Sequence, residues 1–290
     1  MEGFVNKNTI YKTVVGSTAY GLNTPESDID LKGVCIPPKE YYFGIKTFEQ
    51  QEFGADHTVY AIRKFFKLAK DCNPNIVEML YTDSKFIQQI DKFGEKLRAN
   101  RELFISKKAK FTFAGYAFAQ LKRIKGHRKW IMFKEDEPKQ EDFFITKYRK
   151  LSDNTTKAYE HFREQEYKNA LKKWNQYLEW KRKRNPERAK LEEKYGYDCK
   201  HAMHLVRLLR MGVEILSEGK VEVLRSDREE LLKIRRGEWE YDRLVEYAEN
   251  LEGQLDELYE KSPLRKAPDI KKIDKLLIEI TEEFLNENGK

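Results

Sequence analysis

At 290 residues, with 40% hydrophobic and 13% aromatic content, the chain can bury a substantial core as one large domain or two ordinary ones, which excludes wholesale disorder. A charged fraction of 36%, a net charge of +7 and a pI of about 9.0 favour a polyanionic partner, nucleic acid first, although a Lys-rich solvated surface would account for the same charge. Cys35, Cys72 and Cys199 stand far apart with no CxxC pair, which excludes a disulfide framework and a structural zinc site; with no cationic-then-apolar leader and no apolar run near the roughly 18 residues of a membrane span, a cytoplasmic protein is expected.

Thr13-Val14-Val15 before Gly16-Ser17, and Ile29 to Ile36 closed by Pro37-Pro38, read as two β-strands flanking a turn-rich loop. A third strand is expected around Phe48 to Phe53. From Val59 to Leu68 apolar residues recur at helical spacing, and Asn73-Pro74-Asn75 is expected to end that helix. A short helix, Ile76 to Leu80, follows, and from about Leu103 nearly everything reads as helix. The predicted class is α+β: a head of strands and helices in residues 1–105, then a basic, mostly α-helical region in 106–290.

Between Lys107 and Phe133 there are eight Lys or Arg residues and no Asp or Glu, interleaved with Phe111, Phe113, Tyr116, Phe118 and Trp130. This segment suits an RNA backbone, and its aromatic residues suit base stacking or an ordinary helical core. An acidic stretch, Glu135 to Asp142, is expected to loop. Tyr159 to Lys194 reads as a long helical arm with Trp174, Tyr177 and Trp180 spaced three apart, ending in the basic run Lys181 to Arg184. Cys199 to Leu216 is strongly amphipathic, Val221 to Leu224 suggests a short strand, and Asp269 is placed to cap a last helix from Ile270 to about Leu285.

The chemistry concentrates in Gly16-Ser17-Thr18-Ala19-Tyr20-Gly21, followed by Ser27-Asp28-Ile29-Asp30. Gly16 allows a close turn, and Ser17 offers a hydroxyl and an amide donor to a triphosphate. Asp28 and Asp30, two apart on a strand, project to one face, where their like charges call for a cation. Two Mg2+ ions, with Mn2+ as a substitute, can hold the attacking and leaving oxygens of a displacement at phosphorus. A lone Gly-Ser, or a solvated Asp-x-Asp, carries little alone; ten residues separate Ser17 from Asp28, and strand-like segments flank both.

The combination resembles the signature of the DNA polymerase beta-like nucleotidyltransferase superfamily. The run GSTAYGLNTPESDIDLKGV is similar to a bacterial and phage branch of that superfamily, some of whose members are associated with RNA ligases, and the similarity extends to Asn73–Leu80 and Tyr197–His204. The resemblance implies a small mixed sheet with helices packed on it in residues 1–105, and a third carboxylate on a neighbouring strand that deprotonates the attacking hydroxyl. Asp56 is the candidate, with a helix N-cap as its alternative role and Glu52 as the fallback.

Lys200, His204 and Arg207, at i, i+4 and i+7, form one polar stripe that can reach a triphosphate or simply face solvent. Arg225 and Arg228 can bind phosphate, or pair with Asp227, Glu229 and Glu230. Arg63 and Lys64 begin the helix after Asp56, where Lys64 can lie near the metal site, with a surface role as its alternative. A P-loop is absent, and no Ser or Cys sits in a nucleophile elbow. The expected activity is transfer of a nucleoside monophosphate from an NTP to an RNA 3′ hydroxyl. A protein hydroxyl is the rival acceptor, and a catalytically weak nucleic-acid-binding module the rival of another class.

Overall fold

The computed structural model describes residues 3–25, 27–133, 135–143 and 153–288. The chain divides into two compact units, residues 1–121 with 200–290, and residues 122–199, so the boundaries fall elsewhere than at residue 105, where the composition changes.

In chain order, the elements are α1 (Phe4–Lys7), β1 (Thr9–Val15), α2 (Gly16–Ala19), β2 (Asp30–Cys35), α3 (Glu40–Phe43), β3 (Gln50–Glu52), β4 (His57–Ala61), α4 (Ile62–Ala69), α5 (Pro74–Tyr81), β5 (Ile87–Ile90), α6 (Lys92–Ala99), α7 (Ala109–Met132), α8 (Asp153–Lys183), α9 (Pro186–Tyr195), α10 (Cys199–Glu218), α11 (Arg228–Arg235), α12 (Tyr241–Lys261) and α13 (Ile270–Asn288). The strands form one mixed sheet in the order β3-β4-β2-β1-β5, which with the helices gives the expected α+β class. Antiparallel neighbours β2 and β5 flank β1, β2 pairs parallel with β4, and β3 is antiparallel on β4.

Two expected boundaries are corrected. Val59-Tyr60-Ala61 belongs to a strand, not to the start of a helix: β4 pairs on both sides, and Ala61 is still extended at φ −61°, ψ 139° before α4 begins. Buried Val59 and Ala61 alternate with half-buried Tyr60, and the helical spacing of Ile62, Phe65 and Phe66 masked that shorter period. Asn73-Pro74 starts a helix rather than ending one. Pro74 occupies the first turn of α5 and the Asn73 side chain accepts the Asn75 N–H, satisfying a donor with no helical partner. Val221 to Leu224 forms no strand, whereas the expected Asp269 cap is present, accepting the Lys272 N–H at 3.2 Å.

The core lies on one sheet face, where Tyr11, Val15 and Val34 meet Phe65, Phe66, Ile76 and Met79 from α4 and α5, Phe93 and Leu97 from α6, and Ile273, Leu276, Ile280 and Phe284 from α13. By the pleat, Cys35 and Val59 point the other way, into a smaller cluster with Val5, Phe4, Phe48 and Phe53. In the other unit, His127 and Trp130 of α7 stack with Tyr177 and Trp180 of α8 at centroid distances of 5.3–6.0 Å, so part of the expected exposed arm is a packed aromatic seam. Among the described residues, no helix is long and apolar enough to cross a membrane.

Because α13 supplies part of the sheet's own core, Ile280→Ala is expected to cost about 2–5 kcal/mol. A fall in the urea midpoint of the sheet-containing unit checks it, and an unchanged midpoint contradicts the packing.

Candidate active site

β1 delivers the chain into the Gly16-Ser17 turn. Gly16 sits at φ +68°, and a Cβ there would run into the carboxylate of Asp30, fourteen residues later. Asp30 opens β2 directly opposite Val15, the last residue of β1, so the turn and the second aspartate touch because the two strands pair. Ser17 accepts the Leu22 N–H through its carbonyl at 2.8 Å; its half-buried hydroxyl makes no hydrogen bond among the described residues. The loop beyond is braced from the C-terminal helices. The Arg225 N–H donates to the Tyr20 carbonyl at 3.2 Å, Arg228 Nε to that of Gly21, and Arg235 to that of Leu22 at 2.6 Å.

Asp28 is exposed and precedes β2, so of the expected strand-borne pair only Asp30 lies on the strand. Asp56 immediately precedes β4 and its carbonyl accepts the Leu31 N–H at 2.7 Å. With Leu31 in parallel register with His57, the preceding residues, Asp30 and Asp56, fall side by side and on the same face. Asp56 therefore leads into a strand, and its alternative as a helix cap is excluded. Burial holds the Asp30 carboxyl above the usual carboxylate range; the negative charges of Asp56 and Asp28 add to this, and Lys32 and Lys200 oppose it. Glu52 lies on β3, with Gln50 as hydrogen-bond partner at 2.9 Å and Tyr60 as its charged-state neighbour. Lys64 pairs with Glu49 at 2.9 Å.

The donor chemistry of Asp28, Asp30 and Asp56 fits a hard divalent cation, because all three offer carboxylate oxygens and their mutual repulsion is what such an ion relieves. They are not gathered into a ready cage: among the described residues, no three His, Cys, Asp or Glu groups converge closely enough to hold a metal ion.

The α10 stripe splits. Lys200 is exposed and within electrostatic reach of Asp30, and His204 is half-buried. Arg207 is buried and is corrected from a nucleotide ligand to a structural cation. It donates to Glu78 Oε1 at 2.5 Å and lies 3.8 Å from the centroid of the Tyr20 ring, whose hydroxyl donates to Glu78 Oε2 at 2.5 Å. Arg225 is corrected likewise: its buried guanidinium grips Glu214 at 2.6 and 2.7 Å and Asp227 at 2.8 Å. Sequence reasoning missed Glu78, whose signal was a lone acid inside Ile76-Val77-Glu78-Met79-Leu80. Half-buried Lys32 lies on the Asp30 face of β2; burial lowers its pKa, and Glu78 and Asp30 oppose that shift.

The basic segment also divides. Lys108 pairs with Asp71 at 2.9 Å, Lys110 with Asp256 at 2.5 Å, and Lys107 donates to the Glu260 carbonyl at 3.2 Å. Phe113 is core, and Phe111 packs edge-on against Tyr259. None of these five reads as a free surface for an acceptor strand.

Removing one partner of a buried ion pair leaves the other uncompensated. Arg225→Ala is therefore expected to destabilise the fold by about 3–5 kcal/mol; a variant with parental stability but weakened NTP binding would restore the ligand role.

A family model described as the RNA repair pathway DNA polymerase beta family matches residues 2–279. An uncharacterized 38.9 kDa protein from the nrdC-mobD intergenic region of Enterobacteria phage T4 is 30% identical over 136 residues, 41% of this chain and 40% of that protein. The uncharacterized protein YcgL of Bacillus subtilis (strain 168) is 29% identical over 100 residues, 32% of this chain and 37% of that protein. The matched segments thus span well under half of either relative. No solved structure matches. With the family model covering nearly the whole chain, and with the Gly-Ser turn meeting Asp30 at one end of the sheet, the protein belongs to the RNA repair pathway DNA polymerase beta family of nucleotidyltransferases.

Proposed function

We propose that the protein transfers a nucleoside monophosphate from an NTP to the 3′ hydroxyl of an RNA and releases pyrophosphate. The observation that carries this reading is the contact of the Gly16 backbone with Asp30, with Asp56 beside it across the parallel β2–β4 pair. Ser17 and the turn's amides hold the leaving phosphates, and Lys200 with His204 adds donors from α10. Asp56 takes the proton of the acceptor hydroxyl as its oxygen bonds to the α-phosphorus and the bridging oxygen departs with pyrophosphate. Asp28, Asp30 and Asp56 would hold Mg2+, or Mn2+ in its place, which when bound neutralises charge developing on the phosphoryl oxygens.

Support for RNA as acceptor comes from the family's association with RNA repair and from the chain's net charge of +7. The rival acceptor is a protein Tyr, Ser or Thr hydroxyl. Incubation with α-labelled NTPs, Mg2+, tRNA and lysate is expected to label RNA; label confined to protein bands overturns the RNA assignment, and no label in either overturns the enzyme.

Asp30 gives a second test. A carboxyl whose pKa is raised by folding contributes stability that is present at pH below its unfolded pKa and lost as pH rises through the folded one. At neutral pH Asp30→Asn is therefore expected to raise the melting temperature while abolishing transfer. Mg2+ is expected to stabilise the parent and not the variant. A variant less stable than its parent, or equally stabilised by Mg2+, contradicts the metal-site role.

A further inference from the structure

The positive charge is not spread over the molecule. Residues 122–199 hold 22 Lys and Arg against 14 Asp and Glu, a net +8, whereas the other unit holds 34 against 35. The whole excess of the chain therefore lies in the unit that lacks the Gly-Ser turn and the three aspartates. Within it, the seam of His127 and Trp130 with Tyr177 and Trp180 holds the C-terminal half of α7 beside the C-terminal end of α8. Lys122, Arg123, Lys125 and Lys129 from α7, and Lys181 and Arg182 from α8, are exposed and make no ion pair among the described residues. The spacing of Lys122, Lys125 and Lys129 puts them on one helix face. The next cation, Arg184, is different: it lies over the Trp180 ring at 4.4 Å and is neutralised by Glu192 at 2.8 Å, a structural pin beside the exposed group.

Six cations without a salt-bridge partner among the described residues, on adjoining helix ends, repel one another and gain where a line of anions is brought to them. We infer that these two helix ends of the 122–199 unit are a docking region for the phosphodiester backbone of single-stranded RNA, held by Lys122, Arg123, Lys125, Lys129, Lys181 and Arg182. That the occupant is a strand of phosphates rests on the charge; that it is RNA rests on the function proposed above. The surface takes phosphates without reading sequence, since the rings between the helices are engaged with one another.

The test is fluorescence anisotropy of a labelled 20-nucleotide RNA with the full chain, from 50 to 200 mM KCl and without NTP, so that a failure of catalysis leaves the measurement untouched. Lys122→Glu, Lys125→Glu, Lys181→Glu and Arg182→Glu combined are expected to weaken binding by about tenfold or more at 50 mM. The slope of log affinity against log salt is expected to fall by about 3, the yield of four phosphate contacts on a single strand. A set with Gln at the same four positions, gentler on the fold, is expected to lose affinity in the same direction and by less. Lys266→Glu with Lys271→Glu, in the other unit, is expected to change nothing. The proposal is overturned if the parent does not bind RNA, if the four-site variants bind like the parent, if the two-site control loses as much, or if vesicles containing phosphatidylserine bind through these residues while RNA does not.

Discussion

Glu78 is the buried charge around which the first unit is arranged. An unpaired carboxylate at that depth would cost several kcal/mol, so the groups that compensate it have to arrive together. They come from distant places: the Tyr20 hydroxyl from beyond the Gly-Ser turn, the Arg207 guanidinium from α10, and the field of Lys32 from β2. The guanidinium also lies over the Tyr20 ring, so each of the three contacts reinforces the other two. Lys200 is seven residues up the same helix from Arg207, about 10 Å along its axis. Fixing Arg207 in the interior thus fixes where Lys200 emerges near Asp30.

The second constraint is the parallel pairing of β2 with β4. Parallel neighbours start at the same end of the sheet, which is why two aspartates that each precede or open a strand come together there. β4 is also the element the sequence concealed. The Gly16, Ser17, Asp28 and Asp30 group was readable because it is local: a turn, a spacer and a strand start in fifteen consecutive residues, 16–30, flanked by β-flavoured sequence. Asp56 was nominated through resemblance, and its strand was hidden by the helix pattern of Ile62 to Leu68, which periodicity extends backwards without seeing a pairing partner. Arg207 and Arg225 misled for a different reason. An arginine that binds phosphate and one that binds a buried carboxylate look alike in sequence, because the deciding partner, Glu78, is 129 residues from Arg207.

The basic segment makes the same point at larger scale. Read as one run, Lys107 to Lys129 is a stretch with cations and no acid; folded, Lys107, Lys108 and Lys110 satisfy acceptors in the first unit, whereas Lys122 to Lys129 belong to the other. Both stretches lie on α7, but local charge density says nothing about which cations already have partners.

The last helix carries a consequence for how the protein is made. Ile273, Leu276, Ile280 and Phe284 of α13 complete the same core as Tyr11 and Val34 of the first strands. A ribosome working at roughly 5–20 residues per second needs on the order of 10–40 s to travel the 180 residues from the end of β5 to the start of α13. For that interval the nascent sheet carries α4 to α6 but lacks the share of its cover that α13 supplies, and any site assembled at its edge waits on the arrival of that helix. The nascent chain is most exposed to aggregation after the motif has emerged and before α13 has completed its cover.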